Sequence, residues 1–491
     1  MQLLRSFKET MILSMLLDMS TVIHLPKLYE RAPSISSIIY KLYIQTILHK
    51  KKIINTSLTM VKKIMNILLI EPNEGGKQAF QYRFGIFRSL SLEIIAALTP
   101  PEHDVTILNE KVQTIDYTRP YDLVGISLLT CTANRGYTIA DTFRTRGVPV
   151  VLGGWHPSAL PQEAKTHADA VVIGEAELVW GLLLKDLQQG TLKPYYQADR
   201  LAIGDEIPAP RRIGLQSYVP TSIQATRGCP TQCWFCCQHL IEGAHFRPRR
   251  INAVIDEITT IPNKTLHFID SSLTINPTYS KDLFRAMKPL GKRFQCYGNI
   301  NVLAKDDDLL QYAADAGCIR WFVGIESVVQ ETIDSMKKET NTVKEYATAF
   351  KKVKEHGMMI TGLFMLGFDT ETPDVFDKTY QTICQYDLDD AQFNILTPHP
   401  GTKLYTEFEQ QGRLLTKDWS KYDVCHVVFH PKHMSKEDLL QGIRRTTSRY
   451  LSMPNIIRRC INTHQLPADI WWNKVVHNLK TRQNITLFKD E

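Results

Sequence analysis

The chain lacks any apolar run of about 18 residues, the length a membrane-crossing helix needs, so a transmembrane helix is not expected. It lacks a regular cysteine framework. Ten cysteines are scattered over 491 residues, which argues against a disulfide-stapled scaffold and fits a reducing compartment, the cytoplasm. Six of them, Cys131, Cys296, Cys318, Cys384, Cys425 and Cys460, read as small buried hydrophobes. The one cysteine-rich loop is not followed by a second paired motif, as a zinc ribbon would require. Beyond residue 64 the chain also lacks net charge. Residues 1–64 hold ten Lys/Arg against three Asp/Glu, and the remainder holds 48 of each sign, so the formal +7 lies wholly in that first stretch. The body is therefore no polyanion-binding surface by bulk charge, and no nucleic-acid partner is expected.

Residues 1–64 lack the order of a secretory signal: Glu9 and Asp18 interrupt the apolar pattern, and no small-residue cleavage site succeeds it. The segment is read as a basic extension, poorly ordered or non-native, with Met60 and Met65 standing just before the first convincing strand. The rival reading is a partly amphipathic stretch that lies on an anionic membrane surface and gives peripheral contact there.

From Met65 onward the pattern is regular. A hydrophobic content of 43% and a charged content of 22% are those of a globular protein, and the length allows two or three domains. Short apolar runs at Met65–Ile70, Asp104–Leu108, Leu123–Ser127, Val148–Leu152 and Ala170–Ile173 alternate with helical patterns at Ser89–Leu98, Asn134–Arg146 and Glu177–Gln189. That alternation predicts an α/β domain with a doubly wound parallel sheet over 65–200, whose ligands sit beyond the strand C-termini. Ile207-Pro208-Ala209-Pro210 stiffens an extended linker over 201–221. A second series of strands, at Ser222–Thr226, Thr265–Asp270, Phe294–Tyr297, Trp321–Ile325, Met359–Met365 and Ala391–Leu396, alternates with helical patterns over 222–410. Six such units predict a partial (β/α)6 barrel with its site at the C-terminal face. The remainder, 411–491, reads as mostly helical. His430 and His433 within it are assigned no metal.

The loop Cys229-Pro230-Thr231-Gln232-Cys233-Trp234-Phe235-Cys236 carries the chemistry. Three thiolates this close can hold three corners of an iron–sulfur cube and leave one iron open to a small molecule. A zinc-stabilised binding module, with Cys237 or His239 as fourth ligand, is the bland alternative. Arg227-Gly228-Cys229-Pro230, Cys233 and Phe235-Cys236 together resemble the signature of the radical SAM superfamily. The resemblance implies a 4Fe–4S cluster on Cys229, Cys233 and Cys236. It also implies S-adenosylmethionine on the open iron, reductive cleavage to a 5′-deoxyadenosyl radical, and an electron donor of flavodoxin or ferredoxin type. Cys237 is given no role.

The same resemblance assigns further residues. Phe235 packs near the adenine, or makes a plain apolar contact. Asp270 approaches the cosubstrate ammonium, or caps a helix. Gly324, Glu326 and Ser327, in Gly324-Ile325-Glu326-Ser327, resemble the element that contacts the adenosyl ribose or amino-acid group. Gly362 and Gly367 match glycines on which adenine stacks, and Pro398-His399-Pro400-Gly401-Thr402 resembles the loop at the barrel mouth.

The strand ends of the first domain, with Ser127, Leu129, Gly153, Gly154 and Gly174, resemble the cobalamin-binding domain of radical SAM enzymes. The Asp-x-His-x-x-Gly string of cobalamin mutases, whose His ligates cobalt, is absent, and neither His103 nor His156 takes its place. The implied function is modification of an unactivated carbon in a small-molecule substrate, a lipid, tetrapyrrole or natural product, by C-methylation through methylcobalamin. Cobalamin-free oxidation, cyclisation or carbon–carbon joining on the same fold is the runner-up. Methylthiolation is remote, because only Cys131 precedes Cys229 where that class needs three cysteines for a second cluster.

Overall fold

The computed structural model describes residues 64–73, 89–213, 220–461 and 468–483. The expected basic extension, Ile64 aside, lies outside the described residues. Met65–Glu491 forms one compact unit.

Its first half is built on β1 (Asn66–Glu71), β2 (Asp104–Asn109), β3 (Leu123–Ser127), β4 (Val150–Gly153), β5 (Ala170–Ile173) and β6 (Tyr195–Gln197). They pair in the order β2-β1-β3-β4-β5-β6, all parallel. The order reverses between β1 and β3, which opens a crevice at the strand C-termini there. The strands are near-continuous apolar runs because helices cover both faces. Leu92 and Trp180 bury one face, and Phe143 with Ile139 the other. Strand β6 was not expected from sequence. Its Tyr195-Tyr196-Gln197 is too short for a periodic signal, and it is fixed by pairing with β5 and by the Tyr196 hydroxyl donating to Asp186 at 2.8 Å.

The second half contains β7 (Thr221–Ile223), β8 (Thr226–Arg227), β9 (Arg247–Pro248), β10 (Thr265–Phe268), β11 (Arg293–Tyr297), β12 (Cys318–Glu326), β13 (Met359–Leu366) and β14 (Asp390–Ile395). Six of these form one parallel sheet in the order β7-β10-β11-β12-β13-β14. Chain order and sheet order coincide, as in a barrel and unlike the first sheet. A single large core fills it, with Trp321, Phe294, Phe350 and Phe364 among its fully buried side chains.

The sequence suggests one strand over Ser222–Thr226; the structure splits it. The backbone N–H groups of Ala225 and Thr226 donate to the Asp270 carboxylate at 3.1 and 2.5 Å instead of to a sheet neighbour. Strand β8 then turns off to pair antiparallel with β9, and this bend delivers the cysteine loop to the barrel mouth.

The C-terminal region is helical from Lys436, with helices Lys436–Tyr450, Met453–Ile461 and Ala468–Gln483. Residues 411–435 ahead of it run extended and turn-rich, bridged once at Leu414–Phe429. They fold over the first domain: Trp419 and Tyr422 join its core, and the Trp419 indole donates to Glu163 at 2.8 Å. No described helix is long and apolar enough to cross a membrane.

Candidate active site

One cavity of about 700 Å3 spans the C-terminal ends of both sheets. Its barrel wall includes Cys229, Cys233, Phe235, Cys236, Asp270, Gly324 and Glu326. Its opposite wall includes Ser127, Leu129, Gly153, Gly154 and Gly174. Residues expected to hold two different cofactors thus face each other across one space.

The three cysteine thiols reach that space from a single loop, as corner ligands of a cluster must. Among the described residues no group of three or more His, Cys, Asp or Glu converges on a single metal ion. Burial pushes the Cys233 thiol up to about 12 and the Cys236 thiol in the same direction, so a cationic centre is needed to hold them as thiolates. Cys237 is a neighbour in sequence only: it is absent from the cavity lining and burial pushes its thiol up to about 12. The donor set fits a three-thiolate cluster.

Glu326 ends β12 at φ +62°, where the register of β12 against β13 shifts. A non-glycine residue in this region is strained, and strain of this kind collects at ligand sites. The turn aims its carboxylate at Lys338, with which it forms a close ion pair, while the Lys338 ammonium also donates to Gly324 O at 2.8 Å. A Cβ on Gly324 would meet both charged groups at 2.5 Å, so a side chain there would push the ion pair aside. Lys338 lines the cavity and was missed from the sequence, where Lys337-Lys338-Glu339 looks like a solvated charge run.

Asp270 is fully buried beside the cavity. Besides the two backbone N–H groups it accepts from the Thr226 hydroxyl at 2.7 Å, and burial raises its carboxyl to about 7. It shapes the strand leading into the cysteine loop. The helix-capping alternative belongs to Ser272, whose hydroxyl accepts from Thr274 N–H at 3.2 Å. Phe235 meets Phe368 edge to face at 6.1 Å with one side on the cavity. Tyr297 and Phe322 stack at 5.2 Å on the same wall, a flat apolar surface that the motifs did not announce.

Three expected residues are not brought to the cavity. Gly362 turns its open side to the core, where a Cβ would meet Ile325 at 2.6 Å and Phe364 at 3.0 Å. Gly367, at φ +110°, is a turn held by its N–H donating to Glu371 at 2.8 Å. The Ser327 hydroxyl donates to the same carboxylate at 2.7 Å and is fully buried. Glu371 organises this turn, and burial raises its carboxyl to about 7.

Across the cavity, Gly154 sits at φ +100°, and a Cβ there would lie 2.7 Å from Leu128 O. Glycine lets the β3 and β4 loops touch. Gly174, at φ +76°, has nothing within 4 Å of where a Cβ would be, so its backbone faces open space. Below them the cavity continues between sheet and helices, lined by Leu69, Gly125, Val151, Val172 and Trp180. A flat apolar group fits such a slot, and glycine strand ends suit a large rigid macrocycle, so these residues fit cobalamin. Among the described residues no histidine lines the cavity. His156 is buried outside it and pairs with Glu163 at 3.1 Å, and His103 accepts from Met65 N–H at 3.4 Å.

Comparison with known proteins agrees with this geometry. Residues 84–183 match the B12 binding domain and residues 223–383 the radical SAM superfamily. The chain is 32% identical over 371 residues, covering 72% of itself and 80% of the relative, to bacteriochlorophyllide d C-12(1)-methyltransferase of Chlorobaculum tepidum. It is 31% identical to the C-8(2)-methyltransferase of the same organism, covering 69% of itself and 80% of the relative. The fold is that of the methyltransferase TsrM from Kitasatospora setae, solved with cobalamin and a [4Fe–4S] cluster, at a TM-score of 0.64 and 16% identity over 86% of this chain and 99% of that one. Cys229, Cys233 and Cys236 on one wall and the glycine strand ends on the other are thus read together: the chain belongs to the radical SAM superfamily, whose cofactors are a 4Fe–4S cluster and S-adenosylmethionine, among members that carry a B12 binding domain ahead of the radical SAM domain.

Proposed function

We propose that the protein is a cobalamin-dependent C-methyltransferase that acts on a small molecule, and that the substrate is a tetrapyrrole. One observation carries the reading: the cysteine loop and the B12-domain strand ends line a single cavity. When bound, the cofactors supply a hydrogen-abstracting radical from one wall and a methyl group from the other.

The chain's own residues hold and orient. Cys229, Cys233 and Cys236 ligate the cluster. Lys338 presents a cation to the carboxylate of S-adenosylmethionine, and Glu326 an anion to its ribose or ammonium. Phe235 packs on the adenosyl side. Asp270 acts on the bend of β7 into β8 and so on the position of the cysteine loop. Ser127, Leu129, Gly153, Gly154 and Gly174 seat the corrin, and the Leu69–Trp180 slot takes its flat tail. Tyr297 and Phe322 offer a planar apolar surface to substrate.

A tetrapyrrole is favoured because two relatives above 30% identity are named for bacteriochlorophyllide methylation. Relatives at 28% and 25% identity are named as magnesium-protoporphyrin IX monomethyl ester cyclases. A flavodoxin- or ferredoxin-type donor and a cytoplasmic setting complete the proposal; none of the ten cysteines is paired in a disulfide. The test is anaerobic reconstitution, followed by iron, sulfide and corrinoid analysis and by incubation with bacteriochlorophyllide d and methyl-deuterated S-adenosylmethionine. A product heavier by a deuterated methyl group is expected. A corrinoid-free protein that still cleaves S-adenosylmethionine rejects methylation and leaves radical oxidation or cyclisation.

A further inference from the structure

A buried ionic knot joins the two cavity walls at the cofactor loops, and its Glu175, Glu177 and Arg227 line the cavity themselves. Glu175 follows Gly174 at the end of β5, and Arg227 precedes Gly228 and Cys229. The Arg227 guanidinium donates to Glu175 at 3.0 Å and to Glu177 at 2.7 Å. Arg247, on the strand paired with β8, grips the same Glu175 carboxylate through both nitrogens, at 2.6 and 3.1 Å. The four side chains are 4–7% exposed. The knot continues into the cysteine loop: Gln224 accepts from Arg227 Nε at 3.0 Å and donates to Glu242 at 2.7 Å, and Glu242 accepts the Gly228 N–H at 3.2 Å. Gly228 has φ +82° and packs against His245 O too closely for any Cβ.

Burying such charges is weak grounds for stability, since apolar packing does as well, and geometric specificity is the better-attested use. A two-pronged Arg–carboxylate contact fixes orientation as well as distance. Here it fixes one loop of each wall, and each loop is one or two residues from a cofactor-facing position. We propose that Glu175, with Arg227 and Arg247, is a clasp that sets the separation of the cluster and the corrin. These are positioning residues, and the proposal rests on the reading that both cofactors share the cavity.

The experiment uses holoenzyme reconstituted anaerobically, with cobalamin as cob(II)alamin and the cluster reduced. Electron paramagnetic resonance reads the magnetic coupling between the two centres, alongside iron, corrinoid and melting temperature. Glu175→Gln and Arg227→Lys are expected to keep full iron and corrinoid content yet lose at least about half of the coupled signal. Glu175→Asp keeps the charge, withdraws the carboxylate by one methylene, and gives the same loss; it is the measured variant if Glu175→Gln does not fold. Normal coupling with a lowered melting temperature in these variants overturns the clasp and makes the knot structural. A parent protein that binds no corrinoid overturns the shared-cavity reading, and the clasp with it.

Discussion

The two walls of the cavity are made differently. The barrel wall works by charge and chemical identity: three thiols, a strained Glu326, and the Lys338 that answers it. The α/β wall works by shape: Gly154 and Gly174 at positive φ above an apolar slot floored by Leu69 and Val151. A wall proposed to ligate metal and grip a zwitterion needs particular functional groups at particular atoms. A wall that seats a large rigid ring needs room, and several sequences can supply room. Substitutions on the first wall are therefore expected to be near all-or-none, and those on the second graded.

The widest gap between the walls is expected at the cysteines. Cys229→Ala, Cys233→Ala or Cys236→Ala should each remove the cluster and abolish S-adenosylmethionine cleavage, measured as 5′-deoxyadenosine. Cys237→Ala should retain both, because its thiol is outside the cavity lining. Loss of cleavage in Cys237→Ala would make the loop a four-ligand site.

Lys338→Met comes next. It leaves Glu326 facing the cavity without its partner, and breaking one side of a buried pair costs about 3–5 kcal/mol; both side chains here are about one-tenth exposed. Part of that appears as lost stability. The expected kinetic result is a KM for S-adenosylmethionine raised at least about tenfold with iron content unchanged. An unchanged KM would make the pair purely structural.

On the shape wall the expected effects are smaller and depend on what the missing Cβ would touch. Gly154→Ala must move Leu128 backbone, while Gly190→Ala, at φ +70° with open space around it, carries only the conformational cost. That cost is about 1–2 kcal/mol for leaving the left-handed region to an L-residue. Corrinoid content, read well below both melting temperatures, should fall in Gly154→Ala and stay at parental level in Gly190→Ala, and the melting temperature should fall further in Gly154→Ala by the cost of moving the Leu128 backbone.

The same contrast explains how much of the molecule was legible in the sequence. The cysteine loop was legible as a cavity-facing element, because the cluster it is proposed to hold would dictate residue type and spacing together. Both parallel sheets, β6 aside, were legible because strands buried on two faces read as near-continuous apolar runs, as in β1. What stayed hidden was made by distant partners. Strand β8 breaks away because Asp270, over 40 residues on, takes the N–H groups of Ala225 and Thr226. Lys338 reads as surface until β12 turns Glu326 toward it. Gly362 has the right motif, yet its open side faces Ile325, since successive strand residues point to opposite faces. Local pattern carries local geometry and metal chemistry; it does not carry which of two faces meets the ligand.

Glu371 gives the subtlest test, because it lies behind the barrel wall and outside the cavity. It accepts from Ser327 Oγ, Gly367 N–H and Phe368 N–H, yet burial dominates and lifts its carboxyl from 4.5 to about 7. A folded value above the unfolded one means that the native state binds the extra proton. Stability from this group is therefore full below about pH 4.5 and is lost as pH rises to about 7. The slope of one such proton is at most about 1.4 kcal/mol per pH unit. Denaturant unfolding of the parent and of Glu371→Gln at pH 5, 6 and 7 should show the parent losing its advantage steadily across that window. Parallel lines would mean that the three donors outweigh burial and that Glu371 is ionised throughout. The turn at Gly367 would then be held by charge, as the front of the same wall is.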